Sequence, residues 1–447
     1  MGCARPPAPR GPLNHGIIPA LPTHDHVVSS SFRDSRRLRP VNRSEPPRSA
    51  ALAAGGAARQ SRPSNEVRRP TASRAAALIA CVMLCAACAS RGGQTAAPWS
   101  GDLRLARTVT LESSASAGAA LLERVVYVPL RDGRVTSVSL DTGRIGWTID
   151  LAATGALAAG DGLVFAATAD ALVAIGTDGS RRWSVPVPGG FSAPPAWESG
   201  WLVAPTAGGE VLGLRAQDGH VLWTARAPAP AIARPAIGVD RVFLSLDDGH
   251  VVALDLKSGA QLWQRKLDGR PGAPLAAADR VFLGASDRWF YCLSAEDGGR
   301  EWRWRHGGLI TAAPAVDARH VYLAGFNNVL RALDRDGGSQ RWMKGLPLRP
   351  IGGPMVLDDL VLVAGIGGEI HTFRGRIGEP AGQFTGSGDL AAPPLLVPHP
   401  VPELIALVLV TRGGELQVLS RPLGVAIVPL REVVGVQVPL GAPPAPP

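Results

Sequence analysis

The side chains able to do chemistry in this chain are few and dispersed. Asp247-Asp248-Gly249 has the lettering of a calcium loop, because a hard cation needs several oxygen ligands gathered at one turn. A β-hairpin corner calls for the same residues, with glycine supplying a positive φ, and the corner is the expected reading. The histidines beyond residue 90 (His220, His250, His306, His320, His371 and His399) contain no close ligand pair, so no metal site is expected. Trp302-Arg-Trp304-Arg-His306 mixes stacking and cationic groups in the manner of a single-strand nucleic-acid platform. Alternation along a strand puts Arg303 and Arg305 on the face opposite Trp302 and Trp304, which divides that platform. Trp289-Phe290-Tyr291 reads as a core strand. The aspartates sit mostly in turns, away from any positioned base, so no catalytic residue and no cofactor are expected.

Charge points the same way. Residues 1–87 hold 13 arginines and no lysine against Asp25, Asp34, Glu45 and Glu66, which accounts for the whole formal excess of +9. The remainder carries 33 basic and 33 acidic side chains. A neutral body exerts no bulk attraction on a polyanion, and no nucleic-acid partner is expected.

The N-terminal region reads as an export signal preceded by an extension. Residues 1–66 are rich in Pro, Arg, Ser and Ala with no apolar period, and are expected to be disordered or untranslated, with synthesis starting near Val67. Residues 67–87 then form a signal peptide, with Arg68, Arg69 and Arg74 ahead of the apolar run from Ala75 to Ala87. Thirteen residues are too few for a helix spanning a bilayer, which needs about 20. Leu84-Cys85-Ala86-Ala87-Cys88 resembles a lipobox, which marks Cys88 for lipidation; Leu78-Ile79-Ala80-Cys81 also fits but leaves only six apolar residues before it. Ala89 after Cys88 implies, by that resemblance, retention in the outer membrane. Residues 88–103 are the expected tether. Cys292 is the one cysteine after Cys88, so an intramolecular disulfide is excluded from the body.

The elements that position everything else come from a repeat. Trp147, Trp183, Trp223, Trp263, Trp302 and Trp342 are spaced 36, 40, 40, 39 and 40 apart. Each follows a glycine by four residues: Gly143, Gly179, Gly219, Gly259, Gly298 and Gly338. An apolar strand such as Val242-Phe-Leu and a second such as Val251-Val-Ala-Leu-Asp255 precede each Trp. Pro195, Pro235, Pro274, Pro314, Pro354 and Pro394 open successive units 39 or 40 residues apart. The seventh unit loses its Trp, and the eighth is recognised by two strands, Leu407-Val-Leu-Val and Glu415-Leu-Gln-Val-Leu.

Corners at Asp132-Gly133, Gly208-Gly209, Asp248-Gly249, Asn327-Asn328, Gly367-Gly368 and Gly413-Gly414 divide each unit into four short strands. The Gly before each Trp reads as the corner between the third and fourth strands. Such sheets must cover one another's faces, and closing the ring removes the open end. The expectation is an all-β, eight-bladed β-propeller of four-stranded antiparallel blades over residues 104–420. Its ring is closed by an N-terminal strand at 104–111, which completes the eighth blade. Residues 421–447 are a C-terminal extension: 421–439 are expected to add a strand or pack on a rim, and the Pro-rich end from Gly441 is expected to be disordered.

Asp248-Gly-His-Val-Val-Ala-Leu-Asp-Leu-Lys-Ser-Gly-Ala-Gln-Leu-Trp263 resembles the PQQ-like, quinoprotein-type propeller repeat, and six Gly-x-x-x-Trp matches in register extend the likeness over residues 104–420. The resemblance implies that each Trp docks between adjacent blades. That family contains quinoprotein dehydrogenases, the BamB-type lipoproteins of outer-membrane β-barrel assembly, and sensor or ligand-binding propellers. The dehydrogenases often carry an adjacent Cys-Cys pair and are larger; no such pair occurs here. The BamB-type lipoproteins dock their partner through an inter-blade loop of the form Leu-x-Leu-Arg. The connections Pro188-Gly-Gly-Phe-Ser-Ala-Pro194 and Ala229-Pro-Ala-Ile-Ala-Arg-Pro235 lack it, and Leu212-Gly-Leu214-Arg215 lies on a strand. The expected function is a monomeric, lipid-anchored scaffold that faces the periplasm and binds a protein partner of the β-barrel assembly machinery. A periplasmic sensor or ligand-binding propeller is the alternative, and a PQQ-dependent dehydrogenase comes after it.

Overall fold

The computed structural model describes residues 102–397 and 405–421, all within one compact unit, residues 92–447. The extension, the signal, Cys88 and most of the tether lie outside the described residues, as does the chain beyond 421. Eight four-stranded antiparallel sheets form a closed ring, an eight-bladed β-propeller. Blades 1 to 7 occupy residues 120–150, 158–186, 196–226, 236–266, 275–305, 315–345 and 355–385. Blade 8 combines Leu395–Leu396, Ile405–Val410 and Glu415–Ser420 with Arg104–Thr110.

Blade 4 shows why these residues form these strands. Ala236–Ile237 is innermost, followed outward by Arg241–Ser245, His250–Asp255 and Gln261–Lys266. The two middle strands are buried almost throughout, whereas the outermost alternates between exposed and buried positions. A middle strand has a neighbouring blade on each face and therefore reads as an unbroken apolar run. Adjacent residues serve different layers: Leu202 packs with Phe165 of blade 2, and Val203 packs with Val242 of blade 4. The two-residue side-chain period of a strand makes this division.

Corners fall where glycine and asparagine were placed. Gly249 has φ 90° and Asn328 has φ 55°, the left-handed region that a two-residue hairpin imposes. Ring closure also follows the sequence expectation. Arg104–Thr110 pairs antiparallel with Glu415–Ser420, from Arg104 opposite Ser420 to Thr110 opposite Glu415, with one irregularity between Leu105 and Arg107. Because this strand comes from the start of the body and its partner from the end, no sheet edge separates the first blade from the last.

The second-to-third-strand turns and the connections between blades share one face of the ring. Bridges between the two, such as Ala231 with Leu246 and Pro350 with Gly365, mark this turn face. The innermost strands contact one another around the axis. Among the described residues no helix is long and apolar enough to cross a membrane.

Candidate functional site

The Trp series lies on the outermost strands and reaches into the following blade. Six indole N–H groups donate to backbone carbonyls there: Trp147 to Thr177 (2.8 Å), Trp183 to Ala216 (3.0 Å), Trp223 to Leu256 (2.8 Å), Trp263 to Ala295 (2.9 Å), Trp302 to Arg335 (3.2 Å) and Trp342 to Gly375 (2.8 Å). Within its own blade, Trp263 tilts against Phe243 at 5.9 Å, and Trp147, Trp183, Trp302 and Trp342 meet Tyr127, Phe165, Phe282 and Tyr322 in the same way. Trp223, Trp263 and Trp342 are buried; the other three are half-buried.

The glycines do more than turn the chain. A Cβ on Gly298 would lie 2.7 Å from the ring of Trp263, and one on Gly259 would lie 2.5 Å from that of Trp223. Gly179, Gly219 and Gly338 lie likewise under Trp147, Trp183 and Trp302. The functional pair is therefore a Trp and the glycine of the next blade. The Gly-x-x-x-Trp within one blade does not meet. Gly378, passed over because its own blade has no Trp, seats Trp342.

The ring's seam departs from this pattern. In blade 7 the register that holds Trp342 opposite Ala332 holds Gly382 opposite Thr372. In blade 8 the place is taken by Arg107. Its stem covers Gly143, and its Nη1 donates to Leu140 O at 2.8 Å. An arginine thus supplies both the apolar cover and the N–H donor that an indole supplies elsewhere.

The residues with catalytic or ligating potential are absorbed by the fold. Asp248 accepts from the His250 backbone N–H (3.1 Å) and contacts its ring (2.9 Å), while Asp247 pairs with Arg270 at 2.6 Å. Among the described residues no group of three or more His, Cys, Asp and Glu could hold a metal ion. Arg303 lies over the Trp289 ring at 4.2 Å, Phe290 and Tyr291 are buried, and Tyr291 donates to Asp287. Trp302 and Trp304 point inward and Arg303 and Arg305 outward, as alternation requires. Cys292 is buried, and burial pushes its thiol up to about 12. His306 is buried too; burial first, and then the nearby Arg331 charge, push it down to about 4.

Two features of the ring are left over. One is a patch on the turn face joining blades 5, 6 and 7. Leu309 and Phe326, 38% and 47% exposed, are tied by the Phe326 N–H donating to Leu309 O at 3.0 Å. Arg349, exposed on the next connection, has its guanidinium 5.4 Å from the Phe326 ring. Arg349 ends Leu346-Pro-Leu348-Arg349, so Leu-x-Leu-Arg does occur in an inter-blade connection, where the sequence reading passed over it. Its two leucines are buried between blades 6 and 7, and Pro347 and the arginine face solvent. The other feature is an axial cavity of about 370 Å³, lined by Trp197, Glu198 and Arg234 among small and aliphatic residues. Burial raises the pKa of Glu198. Arg234 lines the cavity and is solvent-accessible, and desolvation lowers its pKa.

Indole wedges, glycine seats and four-stranded blades closed by the first strand define a propeller of the PQQ-like repeat class. The model of the family described as outer membrane protein assembly factor BamB matches residues 131–275 and 247–389, more than half of the chain, and the chain belongs to that family. BamB of Yersinia pestis is 25% identical over 303 residues, covering 60% of this chain and 77% of the relative. BamB of Bordetella pertussis is 24% identical over 317 residues, covering 66% and 82%. The crystal structure of BamB from Moraxella catarrhalis superposes with a TM-score of 0.60 at 18% identity, over 71% of this chain and 99% of that one. Quinohemoprotein alcohol dehydrogenase from Comamonas testosteroni gives 0.58 at 13% identity, over 73% and 78%. At such identities these structures speak for the fold alone.

Proposed function

We propose that this protein is a non-catalytic, lipid-anchored docking propeller that acts as a monomer at the periplasmic side of the outer membrane, in the assembly of outer-membrane β-barrel proteins. The observation that carries the reading is the family match over residues 131–389, which spans most of the ring. The turn face supplies the means. Leu309, Phe326 and Arg349 form an apolar and cationic patch on a rigid ring, and exposed aromatic and arginine side chains are the usual anchors of protein interfaces. Anchoring rests on the lipobox lettering around Cys88, where several acyl chains on one cysteine hold a protein at the bilayer essentially permanently. Affinity capture of the full chain from solubilised outer membranes tests the reading. Recovery of barrel-assembly subunits is expected, and recovery of none overturns it. Cys88→Ala should move the protein to the soluble fraction; unchanged membrane retention would transfer the anchor to Cys81.

A further inference from the structure

The axial cavity departs from the rest of the ring in a way that suggests a ligand. In most blades the innermost strand and the residue before its proline are small or apolar. Ala273, Ala313, Gly353 and Pro393 precede Pro274, Pro314, Pro354 and Pro394, whereas blade 4 has Arg234 before Pro235. Ile237-Gly238, Ala276-Ala277 and Val356-Leu357 stand where blade 3 has Trp197-Glu198, and blade 6, with Val316-Asp317, keeps an acid but no indole there. Trp197, Glu198 and Arg234 come from adjacent blades and meet in one cavity, with an aliphatic wall that includes Leu121, Ala158 and Leu395. Trp197 lies flat over Gly160, where a Cβ would stand 2.1 Å from its ring.

Arg234 reaches from blade 4 to blade 2, where its Nη2 donates to Leu157 O at 2.8 Å. That is its one hydrogen bond, and it forms no ion pair, among the described residues. A guanidinium offers five N–H donors and stays charged at neutral pH, so Arg234, which lines the cavity, keeps donors beyond the one given to Leu157. A concave site that sets a few convergent polar groups among aliphatic and aromatic side chains is the usual form of a small-ligand site.

We propose that this cavity binds a carboxylate carried on an apolar body. The Arg234 guanidinium takes the anion, and the Trp197 ring and the aliphatic wall take the body. Such a group belongs either to a free organic acid or to the C-terminus of a peptide. The proposal goes beyond the docking reading and is read independently of partner capture.

Isothermal titration of the full chain in non-ionic detergent, with benzoate and with N-acetyl-L-phenylalanine, tests it. Saturable binding of at least one carboxylate is expected, with N-acetyl-L-phenylalanine amide weaker by about tenfold or more, because a charge-assisted pair is lost. Preference for N-acetyl-L-phenylalanine over benzoate points to a peptide terminus, and comparable binding points to a free acid. Arg234→Gln should weaken binding by about tenfold or more, Arg234→Lys less, since it keeps the charge and loses the fork. Glu198→Gln should tighten it by removing a like charge, an effect that a purely structural Arg234 would not produce. Should Arg234→Gln fail to fold, Arg234→Lys and Glu198→Gln carry the test. Absence of saturable binding by both carboxylates, equal affinity for the amide, or unchanged affinity in the folded variants overturns the proposal.

Discussion

The contact between Trp263 and Gly298 makes a sharp energetic prediction. Gly298 has φ 69°, and an L-residue there costs about 1 kcal/mol in backbone strain alone. The new Cβ of Gly298→Ala would also fall 2.7 Å from the buried Trp263 ring. Moving a packed ring adds about 1–3 kcal/mol. Trp263→Ala alone removes a ring that is 8% exposed, its contact with Phe243 and the hydrogen bond to Ala295 O. Comparable truncations cost about 3–5 kcal/mol. In the double variant the steric part of the alanine's effect disappears and the backbone part remains. The pair should therefore be less destabilising than the sum of the single changes by about 1–3 kcal/mol. Urea unfolding followed by far-UV circular dichroism measures this cycle, provided a second probe gives a coincident transition. Additivity within about 0.5 kcal/mol, or an unchanged midpoint for Trp263→Ala, would refute the wedge-and-seat account.

Four further outcomes are expected. Arg107→Ala should destabilise the seam by about 1–2 kcal/mol through the lost cover on Gly143 and the lost bond to Leu140 O; an unchanged midpoint would remove Arg107 from ring closure. The His306 imidazole, held at about 4 in the fold, refuses a proton that the unfolded chain accepts near pH 6.5. Its contribution is thus complete above that pH and declines as pH falls toward about 4, by about 3 kcal/mol in total; His306→Gln should flatten this limb relative to wild type, and parallel curves would contradict the assignment. Cys292, buried and pushed up to about 12, should resist alkylation in the native protein and react on unfolding, as mass spectrometry of its peptide would register. Phe326→Asp with Arg349→Glu should abolish partner capture while leaving the melting temperature within about 2 °C, since exposed substitutions rarely exceed 0.5 kcal/mol; retained capture would move docking off this patch.

Much of the ring could be read from the sequence because its signals are local. The forty-residue Trp spacing, the Asp-Gly and Gly-Gly corners, and the likeness of residues 104–111 to other outermost strands each depend on a few neighbouring residues. What depended on contact between blades was hidden. Gly298 looks like the partner of Trp302, four residues on, yet it seats Trp263, which lies in the preceding blade. Only the period links that pair. Gly378 was missed for the same reason. Arg107 does an indole's work with a different residue type, so no pattern of letters reveals it. Leu346-Pro-Leu348-Arg349 has the docking lettering, but burial of both leucines separates the letters from the surface they would need to present. Trp197, Glu198 and Arg234 lie within one forty-residue stretch, and only closure of the ring turns them toward a common cavity.

The turn face around Phe326 is proposed to dock a protein of the barrel-assembly machinery. A photo-crosslinking side chain placed at position 326 in living cells, with a control at the outward-facing Leu105, tests it directly. A covalent product with a barrel-assembly subunit is expected from position 326 and none from position 105. No product from position 326, or equal products from both positions, would contradict it.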